Sequence, residues 1–354
     1  MKNKILRAGL DALFYSGAYR ALAPMTQGLG AIFTLHRVLP HPPSNGPVAE
    51  RFHPNGILEI TPDFLDASII AIRAAGLEIV SLDSLADRLR HGHDGSRFVA
   101  FTLDDGYRDN LQHALPVFQR HQCPFTVYVA TDFPQGTARL WWVALERIVA
   151  GASRISALSA GRDETFECRS VAQKTRAYNT IYWLLRALDE DQRHQAIDAI
   201  AQAHDFDIGA LAGELAMTWE ELAVLAGDPL ATIGAHTISH PALASLLVAR
   251  MIAEIARGRD IIRDHLGVEP RHFAYPYGDP GSAASREFVA VRGLGFETGV
   301  TTRKGMLFGR HRDHLTALPR ISLNGDYQAA RYVELFLSGA PFALLNGFRR
   351  VNVN

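Results

Sequence analysis

The stretch Phe98-Val-Ala-Phe-Thr-Leu-Asp-Asp-Gly-Tyr107 decides the fold: a six-residue apolar run, Phe98 to Leu103, ends in two adjacent carboxylates and a glycine. A short apolar run bounded by turn residues reads as a strand. Residues 107–121 fit a crossover helix, and Phe125-Thr-Val-Tyr-Val129 reads as the next strand. Upstream, Ala31-Ile-Phe-Thr-Leu35 is a buried strand, followed by a proline-rich loop from His41 to Pro47. Thr61-Pro62-Asp63 starts a helix with proline at its first position, Gly76 ends it, and Leu77 to Leu82 is another short strand. Alternation of this kind argues for a parallel sheet covered by helices.

Downstream the pattern changes. From about residue 140 to 226 it reads as long helical stretches, including Trp141-Trp-Val-Ala-Leu-Glu-Arg and Tyr182-Trp-Leu-Leu-Arg, inserted in the barrel. Strand signals resume at Ala231-Thr-Ile-Gly-Ala235, His272-Phe-Ala-Tyr275, Thr298-Gly-Val300 and Ala317-Leu318, with an amphipathic helix over 243–266. The expected fold is therefore α/β, a distorted (β/α)7-type barrel over residues 30–325 with a helical insertion at about 140–226. Residues 1–29 form an N-terminal amphipathic helix and linker, and 326–354 a C-terminal helix or tail. Chemistry in such a barrel belongs at the C-terminal ends of the strands.

Composition bounds the rest. The 354 residues carry a formal net charge of −1, with 47% hydrophobic and 21% charged side chains, an ordinary globular balance. Near-neutral charge gives no electrostatic reason to expect nucleic acid as partner. Two cysteines, Cys123 and Cys168, cannot build a disulfide framework and fit a reducing compartment. Lys2, Lys4 and Arg7 could open a signal peptide, but Asp11 breaks the apolar stretch that should follow. Leu6, Leu10, Leu13 and Phe14 recur at helical spacing instead, so residues 3–22 read as an amphipathic helix that docks on the body, binds a partner or lies weakly on a membrane surface. Pro229 to Ala249 lacks charge but contains His236, His240 and two prolines, which argue against a membrane span. The expectation is a soluble, cytoplasmic protein without a transmembrane segment.

Three strand ends carry the chemistry. Neighbouring side chains at a strand end diverge, so Asp104 and Asp105 can take separate tasks around one point, with Gly106 letting the chain turn behind them. An Asx-type turn or a helix cap is the plainer reading of an isolated Asp-Asp-Gly. In Gly234-Ala-His-Thr-Ile-Ser-His240-Pro, the histidines are four apart, a spacing that on a helical turn presents both imidazoles to one metal ion. With one strand-end carboxylate they supply two nitrogens and an oxygen for an open zinc site. Phe273-Ala-Tyr-Pro-Tyr-Gly278 is an aromatic, proline-stiffened strand exit.

Taken in order, these segments resemble the polysaccharide deacetylase family (NodB homology, carbohydrate esterase family 4), whose pattern is T-F-D-D-G, then H-[ST]-x-x-H-P, then R-x-P-Y-G. The resemblance covers about residues 30–325. It implies Asp104 as general base, Asp105, His236 and His240 as ligands of a divalent metal, zinc foremost, and the Tyr277 N–H as an oxyanion donor. Two positions depart from the pattern. The third motif's arginine falls on Ala274, and Arg320 in Leu318-Pro-Arg-Ile321 is the candidate replacement. The late Leu-x-His motif has no clean match, and His311 and His314 read as surface residues rather than the acid. Some branches of the family share both departures. His36, after the first strand, is a candidate for the acid or for substrate contact, and Tyr107 and Tyr275 for stacking on sugar rings. The Trp141-Trp142 pair could stack on sugar rings as well, core packing of the insertion being the plainer reading.

The resemblance implies removal of N-acetyl groups from a GlcNAc-containing oligo- or polysaccharide, an acetylated amino-sugar glycan being the partner. Three other readings stay open: a metal amidohydrolase acting on a small non-carbohydrate amide, a non-haem iron oxygenase built on the two-His-one-carboxylate set, and a catalytically inactive carbohydrate-binding homologue.

Overall fold

The computed structural model describes residues 2–40, 52–92, 95–159 and 162–353. The proline-rich loop expected at 41–47 lies outside the described residues. Strands run in chain order as β1 (Gly30–Leu35), β2 (Arg37–Val38), β3 (Glu59–Ile60), β4 (Glu78–Ile79), β5 (Phe98–Leu103), β6 (Phe125–Val129), β7 (Arg154–Ser159), β8 (Arg162–Glu167), β9 (Ala231–Ala235), β10 (His272–Ala274), β11 (Thr298–Val300) and β12 (Ile321–Ser322). Seven of them form one parallel sheet in the order β11-β10-β9-β6-β5-β1-β12, with β4 paired to the start of β5. A parallel bridge from Val300 to Leu318, just ahead of β12, joins the two edges and closes the barrel. The fold is the (β/α) barrel that the strand–helix alternation implied.

Strand periodicity explains which side chains fill the barrel. On β1 and β5 all six residues are buried, because the barrel interior takes one face and the surrounding helices the other. Ile32, Ala100, Tyr128, Ala274, Val300 and Leu318 pack together inside, while Phe33, Phe101, Phe125 and Phe273 belong to the layer beneath the helices. Gly234 is required opposite Tyr128, since a Cβ there would lie 2.4 Å from the tyrosine ring.

Side-chain caps mark several helix starts. Thr61 caps the helix Pro62–Ala74 by accepting from Phe64 N–H, and Thr218 with Glu221 forms a capping box on Trp219–Ala226. Elsewhere the structure departs from the expected elements. The N-terminal helix is two, Lys2–Tyr15 and Ala18–Thr26, broken at Gly17 with φ 72°. Both dock on the C-terminal helix Ala330–Leu337, where Tyr332 donates to Asp11 at 2.8 Å and Tyr19 bonds Glu334. The second expected strand stops at Ile79, because Ser81 caps a helix that begins at Leu82.

The insertion is not wholly helical. Its helices, Trp141–Gly151, Val171–Ala187, Glu190–Ala203 and Ala210–Leu215, share a hydrophobic core of their own with the antiparallel hairpin β7–β8. Among the described residues, no helix is long and apolar enough to cross a membrane.

Candidate active site

Period two along β5 turns Thr102 and Asp104 to the same interior face as Ala100. Asp104 is thereby buried at the barrel mouth, its N–H donating to Leu35 O at 3.0 Å. Arg320, 1% exposed, reaches it from just ahead of β12: Nη1 donates to Oδ1 at 2.7 Å and Nη2 to Oδ2 at 2.6 Å. The same guanidinium donates to Thr102 Oγ1 and, through Nε, to Thr301 O. Burial pushes the Asp104 carboxyl up, but the paired guanidinium outweighs it and holds the pKa below the usual carboxylate range.

Asp105 leaves the strand with φ 75°, so it too faces the mouth rather than the outer layer. His236 follows β9 on the interior face and His240 lies four residues on. Their Nε2 atoms stand 3.5 and 3.3 Å from Asp105 Oδ1. His236 donates Nδ1–H to Ala274 O at 2.7 Å, which leaves Nε2 as the bare nitrogen. Burial raises the Asp105 pKa, yet the two imidazoles beside it bring it well below the ordinary value. Asp105, His236 and His240 offer ligand atoms within 4.8 Å of one another.

The donor set fits a divalent cation on its own chemistry. Asp105 Oδ1 is buried with no hydrogen-bond partner among the described residues, in the one place where both imidazoles converge. Two nitrogens and one carboxylate oxygen are the composition of an open catalytic zinc site. Among the described residues His240 Nδ1 also lacks a partner, whereas His236 has its outer nitrogen anchored.

The loop bearing both histidines is held from behind. Glu254, on the helix Val248–Leu266, accepts from Ile238 N–H, Ser239 N–H and Ser239 Oγ, each at 3.0 Å. Gly258, one turn on, lets that helix approach so closely that a Cβ would lie 2.8 Å from the Thr237 carbonyl. Among the described residues, four of the seven non-glycine residues with positive φ sit here: Asp105, Thr237, His240 and Tyr277, at 75°, 70°, 61° and 61°. Non-glycine residues enter this region at a cost of order 1–3 kcal/mol each, and they persist where neighbours over-determine them.

A cleft of about 590 Å3 opens above these groups. The insertion builds much of its wall. Trp142 packs 5.3 Å from the His240 ring, and Tyr178, Tyr182 and the largely exposed Trp183 extend the aromatic surface. Trp142 is therefore a wall of the site as well as core, and Trp141 serves it indirectly by donating Nε1–H to Tyr277 OH at 3.0 Å. Tyr277 also stacks under the Arg186 guanidinium at 3.8 Å. Behind the wall formed by Pro54 and Asn55, His53 is clamped between Glu146 at 2.6 Å and Glu59 at 2.9 Å, and these carboxylates raise its pKa to about 10.

Of the sequence-predicted residues, Asp104, Asp105, His36, His236, His240 and Tyr277 all line this cleft. His36 is one-fifth exposed, with Nε2 3.8 Å from Asp104 Oδ2. Tyr275 does not reach the cleft. It shares the outward face of its strand with Phe273, is buried against Phe288, and donates to Thr316 O at 2.7 Å. Tyr107 is also a correction: it is fully buried, lying under the Arg37 guanidinium and against Phe133, so no ring face is left for a sugar. His311, expected at the surface, is buried beside Phe308 and outside the cleft. Glu254, Tyr178, Tyr182 and Trp183 escaped the sequence reading. A glutamate on the buried stripe Met251, Glu254, Ile255, Gly258, Ile262 was the available signal for the first.

A closed parallel barrel with buried carboxylates and paired imidazoles at its mouth defines an α/β-barrel enzyme class with strand-end chemistry. Within it, the chain belongs to the polysaccharide deacetylase family, whose model matches residues 91–297, more than half of the sequence. Solved structures similar in fold include a deacetylase of Streptococcus pyogenes, PplD, in complex with acetate (TM-score 0.56, 14% identity, covering 86% of this chain and 97% of that one). IcaB from Ammonifex degensii aligns with TM-score 0.53 and 18% identity over 88% of this chain and 97% of its own. A de-N-acetylase from Aggregatibacter actinomycetemcomitans gives 0.55 and 12% over 86% and 99%. Among curated proteins, chitin deacetylase 1 of Cryptococcus neoformans is 47% identical over 47 residues, 13% of this chain and a tenth of that protein's length.

Proposed function

We propose that the protein is a metal-dependent hydrolase that removes N-acetyl groups from a GlcNAc-containing oligo- or polysaccharide, releasing acetate and a free amine. One observation carries this reading. A carboxylate fixed in its ionised form by Arg320 stands beside a second carboxylate that converges with two imidazoles on one point of an aromatic-walled cleft.

A divalent ion held by Asp105, His236 and His240, with zinc the best match to that set, would supply carbonyl polarisation and a more acidic water. Asp104 takes the water proton as general base, its orientation set by two hydrogen bonds to Arg320. The Tyr277 N–H makes no hydrogen bond among the described residues and is the chain's donor for the tetrahedral oxyanion. His36, part-exposed in the cleft near Asp104, is the side chain available to protonate the leaving amine. Trp142, Tyr182 and Trp183 give the ring faces on which a pyranose stacks.

The test is acetate release from defined chitooligosaccharides and from small acetamides, with chelator and after zinc add-back. Chelator-sensitive release from the sugars alone supports the assignment. Release from small amides only, or turnover indifferent to chelator, refutes it.

A further inference from the structure

A second organised surface forms where the two chain ends meet. Of the sixteen large apolar side chains exposed among the described residues, seven come from 5–25 and 344–348. Isolated exposed apolar residues are ordinary, but contiguous ones mark contact surfaces. Here they are contiguous: Ile5 and Leu6 share a groove of about 450 Å3 with Leu344 and Leu345. Lys304 and Phe342 carry that groove into a hollow with Met25 and Phe348. Phe348 leads in turn into a cavity of about 920 Å3 rimmed by Arg310, Arg312, Arg349 and Arg350.

The charge around this face runs against the chain's average. In sequence, residues 1–29 and 339–354 contain six lysines and arginines and a single acid, Asp11, in a protein of net charge −1; of these, Arg20 is paired with Glu334. Asp11 is already engaged by Arg331 and Tyr332. Among the described residues, Arg310 and Arg349 have no acidic side-chain partner, and Arg350 lies over the Phe308 ring at 5.3 Å.

We infer that this face docks on a membrane surface carrying anionic lipids. The arginine-rimmed hollow takes headgroup phosphates, and Leu344, Leu345, Phe348, Ile5 and Leu6 rest at the acyl boundary. Guanidinium groups pair bidentately with phosphate, and a basic amphipathic helix with exposed leucines is the sequence form that lies in the interface plane. A second copy of the chain is a poorer occupant, because two such faces would oppose arginine to arginine. None of these residues lines the catalytic cleft, so a docked molecule keeps its active site open to a glycan.

The experiment is sedimentation of the full chain with phosphatidylcholine vesicles, with and without phosphatidylglycerol. Binding is expected only with the anionic lipid, weakening as salt rises. The double variant R349E/R350E should lower partitioning roughly tenfold or more, each basic group near an anionic surface being worth about one kcal/mol. L344S/L345S should lower it too, with circular dichroism and melting unchanged from the parent. If R349E/R350E misfolds, R310E/R312E carries the same expectation. Equal binding to neutral vesicles, no binding at all, or a dimer that L344S/L345S dissociates without any vesicle binding would overturn the inference.

Discussion

Arg320 and Asp104 form a bidentate pair inside the barrel, 2.7 and 2.6 Å apart, although they stand 216 residues apart in the chain. The pair answers the vacancy at Ala274: the guanidinium that the family motif brings from the third segment arrives here from the residue just ahead of β12. Ala274 faces the interior beside Val300 and Leu318, so its small side chain fits a site filled from another direction. With Asp104 braced, the departure at Ala274 ceases to argue for an inactive homologue.

Because both partners are buried, removing one strands the other. Asp104→Asn should cost about 3–5 kcal/mol of stability by leaving the Arg320 charge unpaired, and about 10²-fold or more in turnover. The double variant D104N/R320Q should recover much of the stability and none of the activity. Urea denaturation with acetate assays on all three proteins checks this. A single variant as stable as the parent would contradict the burial argument.

Asp105, His236 and His240 predict a metal dependence readable without substrate. Dialysis against chelator should lower the melting temperature, and zinc should restore it, since a ligand that binds only the native state stabilises it by mass action. His236→Ala should abolish both the zinc-dependent shift and the metal content measured by elemental analysis. A chelator-treated protein whose melting does not respond to zinc would remove these three residues as a binding set.

The barrel and the four central residues were legible because each rests on a local rule. Period-two burial sends Asp104 inward with Thr102, and strand-end placement gathers residues 104–105, 236–240 and 277 at one mouth. What stayed hidden depended on tertiary placement. Tyr275 was misread because the sequence alone does not say which face of β10 the helices cover. The hairpin β7–β8 was read as helix because Arg162-Asp-Glu-Thr-Phe-Glu167 is polar and holds only one large apolar residue, Phe166. Glu254 serves residues fifteen and sixteen positions upstream through a fold contact that no motif encodes.

Glu254 therefore offers a test of positioning as distinct from chemistry. Glu254→Gln keeps the size but weakens the acceptance of three donors, and hydrogen bonds to a charged acceptor are worth about 1.5–3 kcal/mol each. The expected outcome is a chain that folds, binds zinc about tenfold or more weakly, and regains part of its turnover when zinc is raised. Unaltered zinc affinity would mean the 236–240 loop holds its shape without the glutamate.

Trp183 is two-thirds exposed at the cleft rim, and Tyr182 packs beside it at 5.3 Å. If these rings hold sugars beyond the reacting residue, Trp183→Ala should raise KM for long chitooligosaccharides by about 5- to 10-fold, taking stacking at about 1 kcal/mol. It should leave kcat nearly unchanged and affect the shortest substrates little. Equal losses across chain lengths would place the ring outside the glycan path.

His311 makes the acid side of the stability profile predictable. It is 1% exposed, and its Nδ1 accepts the Phe308 N–H at 2.9 Å, a bond that only the neutral ring can accept. Burial holds its pKa down to about 4, against 6.5 for a free histidine. Between those values the unfolded chain binds the proton and the folded one does not, so stability rises with pH there. The contribution is complete above about pH 6.5 and is lost as pH falls toward 4, amounting to about 3 kcal/mol. Urea denaturation of the parent and of His311→Gln across this window isolates it, because other carboxylates titrate alike in both. The parent should lose more stability on acidification than the variant, and parallel curves would show that the ring is protonated in the folded state at no cost.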